Sequence, residues 1–104
     1  MSFVALVEIQ LHFPDNHSLK GKRKEISHLK AQLQHRFGAA VSETEHHDLW
    51  QRSTMSAVLV GAQAGVVADA AEKLCRYVES QFPQGVGLDK AIISGEEIFS
   101  GTDL

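Results

Sequence analysis

Cysteine is almost absent from this chain, and its scarcity removes several classes of function. The single cysteine among the 104 residues, Cys75, cannot form an internal disulfide or a C-x-x-C metal or redox pair. An iron–sulfur cluster needs about four cysteine ligands, so that class is excluded as well. Because Cys75 falls between Leu74 and Arg76 of an amphipathic segment, we expect a small core residue and not a nucleophile.

Long apolar runs are also missing. No stretch approaches the roughly 18 apolar residues of a membrane span. The apolar start, residues 1–13, has no basic n-region and is interrupted by Glu8 and Gln10, so it is a poor signal peptide. We therefore expect a cytoplasmic protein without a membrane partner.

The sequence has none of the short motifs that mark common catalytic or nucleotide-binding sites. The patterns G-x-x-x-x-G-K-[ST], G-x-G-x-x-G and G-x-S-x-G are all absent. Histidine and carboxylate side chains are present, but no nucleophile, base and orienting group can be recognised together. The expectation is a non-enzymatic protein without a cofactor.

What remains is the composition of a folded domain. Apolar residues make up 43% of the chain and charged residues 22%, which is ordinary for a globular protein. A chain of this length buries roughly two-thirds of the surface that it exposes when unfolded, which is enough for one core. Residues 1–104 are therefore expected to form a single domain.

Hydrophobic periodicity predicts the first half of the fold. Residues 3–13 alternate between an apolar face and a mixed face, which is typical of a strand. Residues 19–37 repeat apolar side chains at helical spacing, with Ser18 as the N-cap and Gly38 as the residue that ends the helix. A second strand is expected over residues 39–45.

The second half is predicted in the same way. The polar segment 46–52 reads as a hairpin connection with strand ends, followed by a strand over 53–61, a helix over 66–82 and a final strand over 86–99. The order β-α-β-β-α-β predicts an α+β fold, the ferredoxin-like sandwich. In that fold two helices cover one face of a four-stranded antiparallel sheet.

The uncovered face of such a sheet carries two implications. RNA-recognition motifs stack bases on aromatic residues of the central strands, but Phe3 and Phe13 share the apolar face here, so that mode is excluded. Apolar side chains are nevertheless expected on the open face, and edge pairing or face stacking into a homodimer would cover them. They are Val4, Leu6, Val58 and Val60.

Positive charge is concentrated in one segment of an otherwise acidic chain. The formal net charge is −3, yet the segment from Asn16 to Ser42 contains six basic residues and one acid. Basic residues crowd the first turns of the predicted helix, where the helix dipole disfavours cations by roughly 0.3–1 kcal/mol each. Helix starts attract anions, so we expect phosphate or nucleic-acid binding there, with a solvated polar face as the alternative. The predicted contacts are Lys20, Lys22, Arg23, Lys24 and Lys30.

The segment after the second strand holds further candidates. The run from Glu43 through His46, His47 and Asp48 contains metal-ligand types, but adjacent histidines on an extended chain point to opposite sides, so loop hydrogen bonds are favoured over a metal site. Trp50, the only tryptophan, is interpreted as a half-buried wedge between helix and sheet edge, with base stacking as the alternative. Arg52 and Trp50 complete the predicted nucleic-acid-binding set.

Two blocks of sequence carry a family resemblance. They are Ser18-Leu19-Lys20 with Lys22-Arg23, and, beyond Phe37, Glu43 with the run His47-Asp48-Leu49-Trp50-Gln51-Arg52. In these blocks the chain resembles the YlxP-like family, small bacterial proteins of unknown function. The resemblance implies a ferredoxin-like fold. It also implies a link to the ribosome, because genes of this family often neighbour those for translation initiation and ribosome-maturation factors, and members are sometimes labelled probable ribosome-binding factors.

The sequence thus predicts a small binding domain associated with RNA or the ribosome, with rRNA or the small ribosomal subunit as its partner. Phosphate contacts position a protein without reading base sequence, so no particular RNA is specified. The alternative is a homo-oligomeric structural or regulatory module that uses the open sheet face.

Overall fold

A computed structural model describes residues 1–101 and shows two long helices packed on one face of a four-stranded antiparallel sheet. The strand order is β2-β3-β1-β4, and the sandwich has the ferredoxin-like arrangement that the sequence predicts. The elements in chain order are β1 (Phe3–His12), α1 (Leu19–Phe37), β2 (Ala40–Glu45), β3 (Arg52–Gly61), α2 (Ala64–Gln81), β4 (Val86–Ser94) and α3 (Gly95–Ser100).

The central strand β1 sets the register of the sheet. It pairs with β3 from Phe3 opposite Gly61 to His12 opposite Arg52, and with β4 along its other edge. Alternate side chains of β1 point under the helices and are buried, as the two-residue period predicts. The core lies between this face and the helices and includes Ala5, Val7, Ile9, Leu11, Met55, Ala57, Leu29, Leu33, Leu74 and Val78.

Helix α1 has the bounds that the sequence predicts, and its caps explain why. The Ser18 hydroxyl accepts a hydrogen bond from the Gly21 amide at 3.0 Å, which satisfies one of the free donors at the helix start. At the other end Gly38 adopts a left-handed conformation with φ of 66° and donates its amide to the carbonyls of Gln34 and Leu33. Both caps are therefore encoded locally.

The last predicted strand is wrong over its final residues. Strand β4 ends at Ser94, and residues 95–100 form the short helix α3. The cause is a capping box, in which the Ser94 hydroxyl accepts from the Glu97 amide at 3.0 Å and the Glu97 carboxylate accepts from the Ser94 amide at 3.3 Å. The capping box ends the strand and starts a helix at this point, although Ile98 and Phe99 are apolar.

Cys75 lies on the buried side of α2 and is part of the core, as expected of a small structural residue. Burial, together with the nearby carboxylate of Glu79, raises the pKa of its thiol. A thiol held in its protonated form is a poor nucleophile.

None of the helices in residues 1–101 combines the length and the apolar character that spanning a lipid bilayer requires.

The open face of the sheet is divided into two halves. One half is polar, and side-chain hydrogen bonds join β3 to β1 across it. The Ser56 hydroxyl donates to Glu8 at 2.6 Å, and the Thr54 hydroxyl donates to Gln10 at 2.7 Å. The other, which we call the apolar half, is formed by residues that the strand register places side by side. They are Val4, Leu6, Val58, Val60, Ala91 and Ile93.

Candidate nucleic-acid interface

The end of β1, the start of α1 and the β2–β3 connection meet at one end of the sheet and are joined by hydrogen bonds. The Asn16 side chain donates to the Trp50 carbonyl. The Gln51 side chain donates to the carbonyls of Pro14 and Asn16 at 3.3 and 3.2 Å, and the Phe13 amide donates to the Gln51 carbonyl at 2.8 Å. The two loops are therefore held together as one surface.

Glycine at position 21 makes this junction possible. A Cβ atom added to Gly21 would lie 2.3 Å from the Asn16 side-chain oxygen, closer than real contacts allow. The Asn16 side chain also donates to the Ser18 carbonyl at 2.7 Å, so it spans from the helix start to the loop that carries Trp50. The glycine thus admits the residue that fixes the start of α1.

Lys22 is not on the surface, which corrects the prediction that it contacts phosphate. Its side chain is 1% exposed, and its ammonium group lies 3.0 Å from the Glu43 carboxylate. The same group donates to the backbone carbonyls of His46 at 2.6 Å, Arg52 at 3.1 Å and His47 at 3.3 Å. Lys22 therefore fastens the β2–β3 connection to α1 and has no free donor for a ligand.

Glu43 completes this buried cluster and is itself held in its charged form. Burial alone would raise the pKa of its carboxyl group, but hydrogen bonds from Ser53 (2.6 Å) and Lys22, with the charge of Lys22, outweigh burial. The pKa of Glu43 is therefore lowered from its ordinary value of 4.5.

Replacing Glu43 by glutamine is expected to reduce stability in a pH-dependent way. A carboxyl group whose pKa is lowered by folding stabilises the native state above its unfolded pKa, and that contribution is lost as the pH falls through the native pKa. The difference in unfolding free energy between wild type and Glu43→Gln should be largest near pH 7 and should shrink below pH 4.5. Urea denaturation across this range measures it, and a difference independent of pH would contradict the role assigned to the charge.

Five of the basic side chains are exposed and have no acidic partner within residues 1–101. They are Lys20, Arg23, Lys24, Lys30 and Arg52, and we call this set the free cations. The remaining basic side chains are engaged: Lys22 with Glu43, Lys73 with Asp69 at 3.0 Å, Arg76 with Glu72 at 3.5 Å, Lys90 with Glu72, and Arg36 over the Tyr77 ring at 4.5 Å. The free cations are thus concentrated on α1 and at the start of β3.

Trp50 is exposed, so its interpretation as a half-buried wedge is wrong. The residue is 53% exposed and lies beside Leu49, which is also exposed. Together with His12, Gln51 and Arg52 these residues line an open concavity of about 420 Å³ at the end of β1 and the start of β3. The structure therefore brings Trp50 and Arg52 together, as the predicted binding set requires.

A second concavity, of about 440 Å³, lies between the start of α1 and the end of α2. Lys24 lines it, but so do the carboxylates of Asp15 and Glu25. Mixed charge of this kind does not favour an anionic ligand. The phosphate-binding candidates are therefore the outward-facing cations and the concavity beside Trp50.

The histidine-rich connection makes hydrogen bonds within the loop, as the sequence favours. His47 lies with its Nε2 atom 2.9 Å from the Glu43 carbonyl oxygen, and His46 lies 3.8 Å from the Glu45 carboxylate. His46 has a positive φ of 66°, so the chain does turn here, but the two imidazoles contact different groups. Within the described part of the chain, no three histidine, cysteine or acidic side chains are placed to hold one metal ion.

Comparison with solved structures bears on the fold. The de novo designed protein Foldit4 aligns with a TM-score of 0.57 and 8% identity over 90% of this chain and 98% of that chain. A second design, Ferredog-Diesel, gives a TM-score of 0.50 and 12% identity over 88% and 84% of the two chains. A dimeric ferredoxin-like protein from an uncultured marine organism aligns with a TM-score of 0.40 and 8% identity over 89% and 94%. At such low identity the two designs support the fold alone.

Sequence comparison identifies the family. No curated protein matches the chain. The family described as "Protein of unknown function (DUF503)" matches residues 4–86, a range that contains both long helices, the buried Lys22 cluster and all five free cations. This chain therefore belongs to the DUF503 family of proteins of unknown function.

Proposed function

We propose that this chain is a non-enzymatic RNA-binding domain that contacts phosphate groups through its free cations. The observation that carries the proposal is that these five cations are exposed and unpaired, whereas the other basic side chains are engaged with partners in the described structure. Lysine and arginine without acidic partners can exchange counterions for phosphates, which supplies most of the affinity in non-specific nucleic-acid binding.

The placement of the cations on α1 supports an anionic ligand. The first turn of the helix has no acidic residue, although acids stabilise helix starts. Lys20 lies in this turn instead, where the helix dipole opposes it, and Arg23 and Lys24 follow in the second turn, so the placement of the cations costs stability in the free protein. A bound phosphate would relieve this repulsion. Arg23 and Lys30 share one flank two turns apart, which extends the surface by roughly 10 Å.

The open sheet face is not the expected binding surface. The carboxylates of Glu8, Glu45 and Asp89 lie on its polar half, and they would repel phosphates. Strands β1 and β3 present no phenylalanine, tyrosine or tryptophan on that face, so the stacking platform of an RNA-recognition motif is missing. The proposal therefore uses α1 and the end of the sheet, unlike an RNA-recognition motif.

A ribosomal partner is the target that the family resemblance favours. Members of the YlxP-like family are sometimes labelled probable ribosome-binding factors, and their genes often neighbour those of ribosome-maturation factors. The rRNA of the small subunit is accordingly the first RNA to test. Gene neighbourhood by itself assigns no chemistry, and the chemical basis of the proposal is the set of free cations.

The direct test is binding of the purified chain to 30S subunits and to a generic structured RNA at low salt. Fluorescence anisotropy of labelled protein measures both affinities. We expect binding to both, with tighter binding to 30S subunits if the ribosome is the natural partner. Absence of binding to either RNA at low salt would overturn the proposal.

Self-association is a second candidate function, and the edge of β4 favours it. β4 is an edge strand, and its outer side has no strand partner within the described residues. An antiparallel pairing of two β4 strands centred on Ile92 would place Ile92 opposite Ile92 and Ala91 opposite Ile93. Every central pair is then apolar. The apolar half of the open face would continue across the two copies, including the exposed Leu6 and Val60.

Sedimentation velocity tests this candidate. A dimer at high protein concentration is expected, and Ile92→Lys should shift it to monomer because it would bring two lysines together at the centre of the pairing. Val66→Lys is the matched control, since Val66 is an exposed apolar residue on α2 and is not part of this edge. A strict monomer at high concentration removes the candidate.

A further inference from the structure

Trp50 is a large apolar side chain that is exposed although its backbone is firmly held. The Asn16 side chain donates to the Trp50 carbonyl, and the Leu49 amide donates to the His46 carbonyl at 3.2 Å. Immediately after Trp50, the Gln51 side chain reaches two carbonyls of the β1–α1 loop. The backbone that carries this exposed indole is therefore pre-organised, and binding would cost little backbone conformational entropy.

The groups around Trp50 define the chemistry of a ligand. His12 and Arg52 are cross-strand partners at the end of β1 and the start of β3, and both line the concavity beside the indole. The Arg52 guanidinium is exposed and has no acidic partner among residues 1–101. The site therefore offers an aromatic face, an imidazole and an unpaired cation. A planar ring with an attached phosphate complements all three.

The size and shape of the concavity restrict the ligand further. Its volume of about 420 Å³ is at the lower end of the range for small-ligand sites, which suits one nucleotide and not a segment of duplex. Bases inside a duplex are stacked on both faces and cannot reach a side chain at the protein surface, whereas unpaired bases in loops, bulges and ends can.

We propose that the concavity formed by His12, Leu49, Trp50 and Arg52 binds one unpaired RNA base, which stacks on the Trp50 indole while Arg52 contacts its phosphate. This inference rests on the proposed function and deepens it, since it names the class of RNA. The free cations of α1 contact the backbone of any RNA, and the concavity selects RNA with an unpaired nucleotide. Structured RNA with loops is then preferred over a continuous duplex.

The single tryptophan makes the inference directly measurable, because all indole emission comes from Trp50. The probes are a uridine hexamer, an adenosine hexamer, a blunt duplex RNA without unpaired bases, and the mononucleotide AMP. Both hexamers should quench the emission, the adenosine hexamer more strongly because purines stack better, and the duplex should bind with little quenching. Quenching by AMP equal to that by the adenosine hexamer would assign the site to a free mononucleotide and overturn the RNA assignment.

Substitution supplies the second readout. Trp50→Ala should weaken binding of the hexamers about 5- to 100-fold, and Trp50→Phe should retain most of the affinity because a ring remains for stacking. Leu49→Ala is the matched control, an exposed apolar neighbour without a π-face, and should change affinity much less. Since these side chains are exposed, unchanged far-ultraviolet circular dichroism is expected for all three variants.

The outcomes separate this inference from the proposed function. If RNA binds in a salt-dependent way but Trp50 emission is unchanged and Trp50→Ala binds the hexamers like wild type, the stacking site is disproved and phosphate binding stands. If the hexamers quench the emission and Trp50→Ala loses affinity, both are supported. If no RNA of any kind binds, both are overturned.

Discussion

Replacing Lys22 by methionine is expected to lower the free energy of unfolding by about 3–5 kcal/mol, the cost of removing one partner from a buried ion pair. The change leaves the Glu43 carboxylate without its cation, and the carbonyls of His46, His47 and Arg52 lose a donor. Methionine has a similar length, so the loss reflects the missing ammonium group and not a cavity. Urea denaturation followed by circular dichroism measures the change.

Two further variants show whether the cluster is more than an ion pair. Lys24→Met, on the exposed side of the same helix, should change stability by less than about 0.5 kcal/mol. In the double variant Lys22→Met with Glu43→Gln, the unpaired charge is removed, but the three backbone carbonyls still lack the hydrogen bonds that Lys22 donates. The double variant should therefore remain well below wild type. A loss of less than about 1 kcal/mol for Lys22→Met would contradict the structural role assigned to this residue.

Neutralising the three free cations at the start of α1 is expected to weaken RNA binding by about 100- to 500-fold at 0.1 M salt. Each phosphate contact contributes a slope of roughly 0.7 to 0.9 in a plot of log K against log salt concentration, so three contacts contribute two to three decades at that salt. The variant is Lys20→Gln, Arg23→Gln and Lys24→Gln together, and fluorescence anisotropy with a structured RNA measures the loss.

The control has the same net charge but changes a different surface. Lys73→Gln, Arg76→Gln and Lys90→Gln remove three cations that are paired with Asp69 or Glu72, on α2 and β4. If binding depended only on net charge, both triple variants would lose affinity equally. The proposal requires a large loss for the α1 variant alone, and equal losses would show that no localised interface exists.

Local signals explain which parts of the fold were predictable from the sequence. Helix α1 is predictable with its observed bounds because Ser18 and Gly38 each act on backbone groups a few residues away, and the apolar repeat fills the helix between them. The end of β4 also has a local signal, because Ser94 followed by Glu97 is a capping box, and this signal overrides the strand that the apolar pattern predicts as far as Phe99. The apolar side chains of Ile98 and Phe99 favour a strand less strongly than this pair of polar residues favours the start of a helix.

The candidate site was harder to predict because it depends on tertiary contacts. Lys22 falls on the buried stripe with Ile26, Leu29 and Leu33, a helical spacing that could have separated it from the neighbouring lysines. Its partner Glu43 could not be identified in this way, since the pairing follows from how β2 packs against α1. The exposure of Trp50 likewise depends on two loops that meet only in the folded chain.

The ionic-strength dependence of binding to 30S subunits tests the central claim most directly, because the claim is that five free cations contact phosphates. If all five are engaged, log K should fall linearly with log salt concentration with a slope of about −3.5 to −4.5. The α1 triple variant should reduce the magnitude of that slope by more than half. Binding that is independent of salt, or no binding at low salt, would contradict the account and identify the cations as a solvated surface.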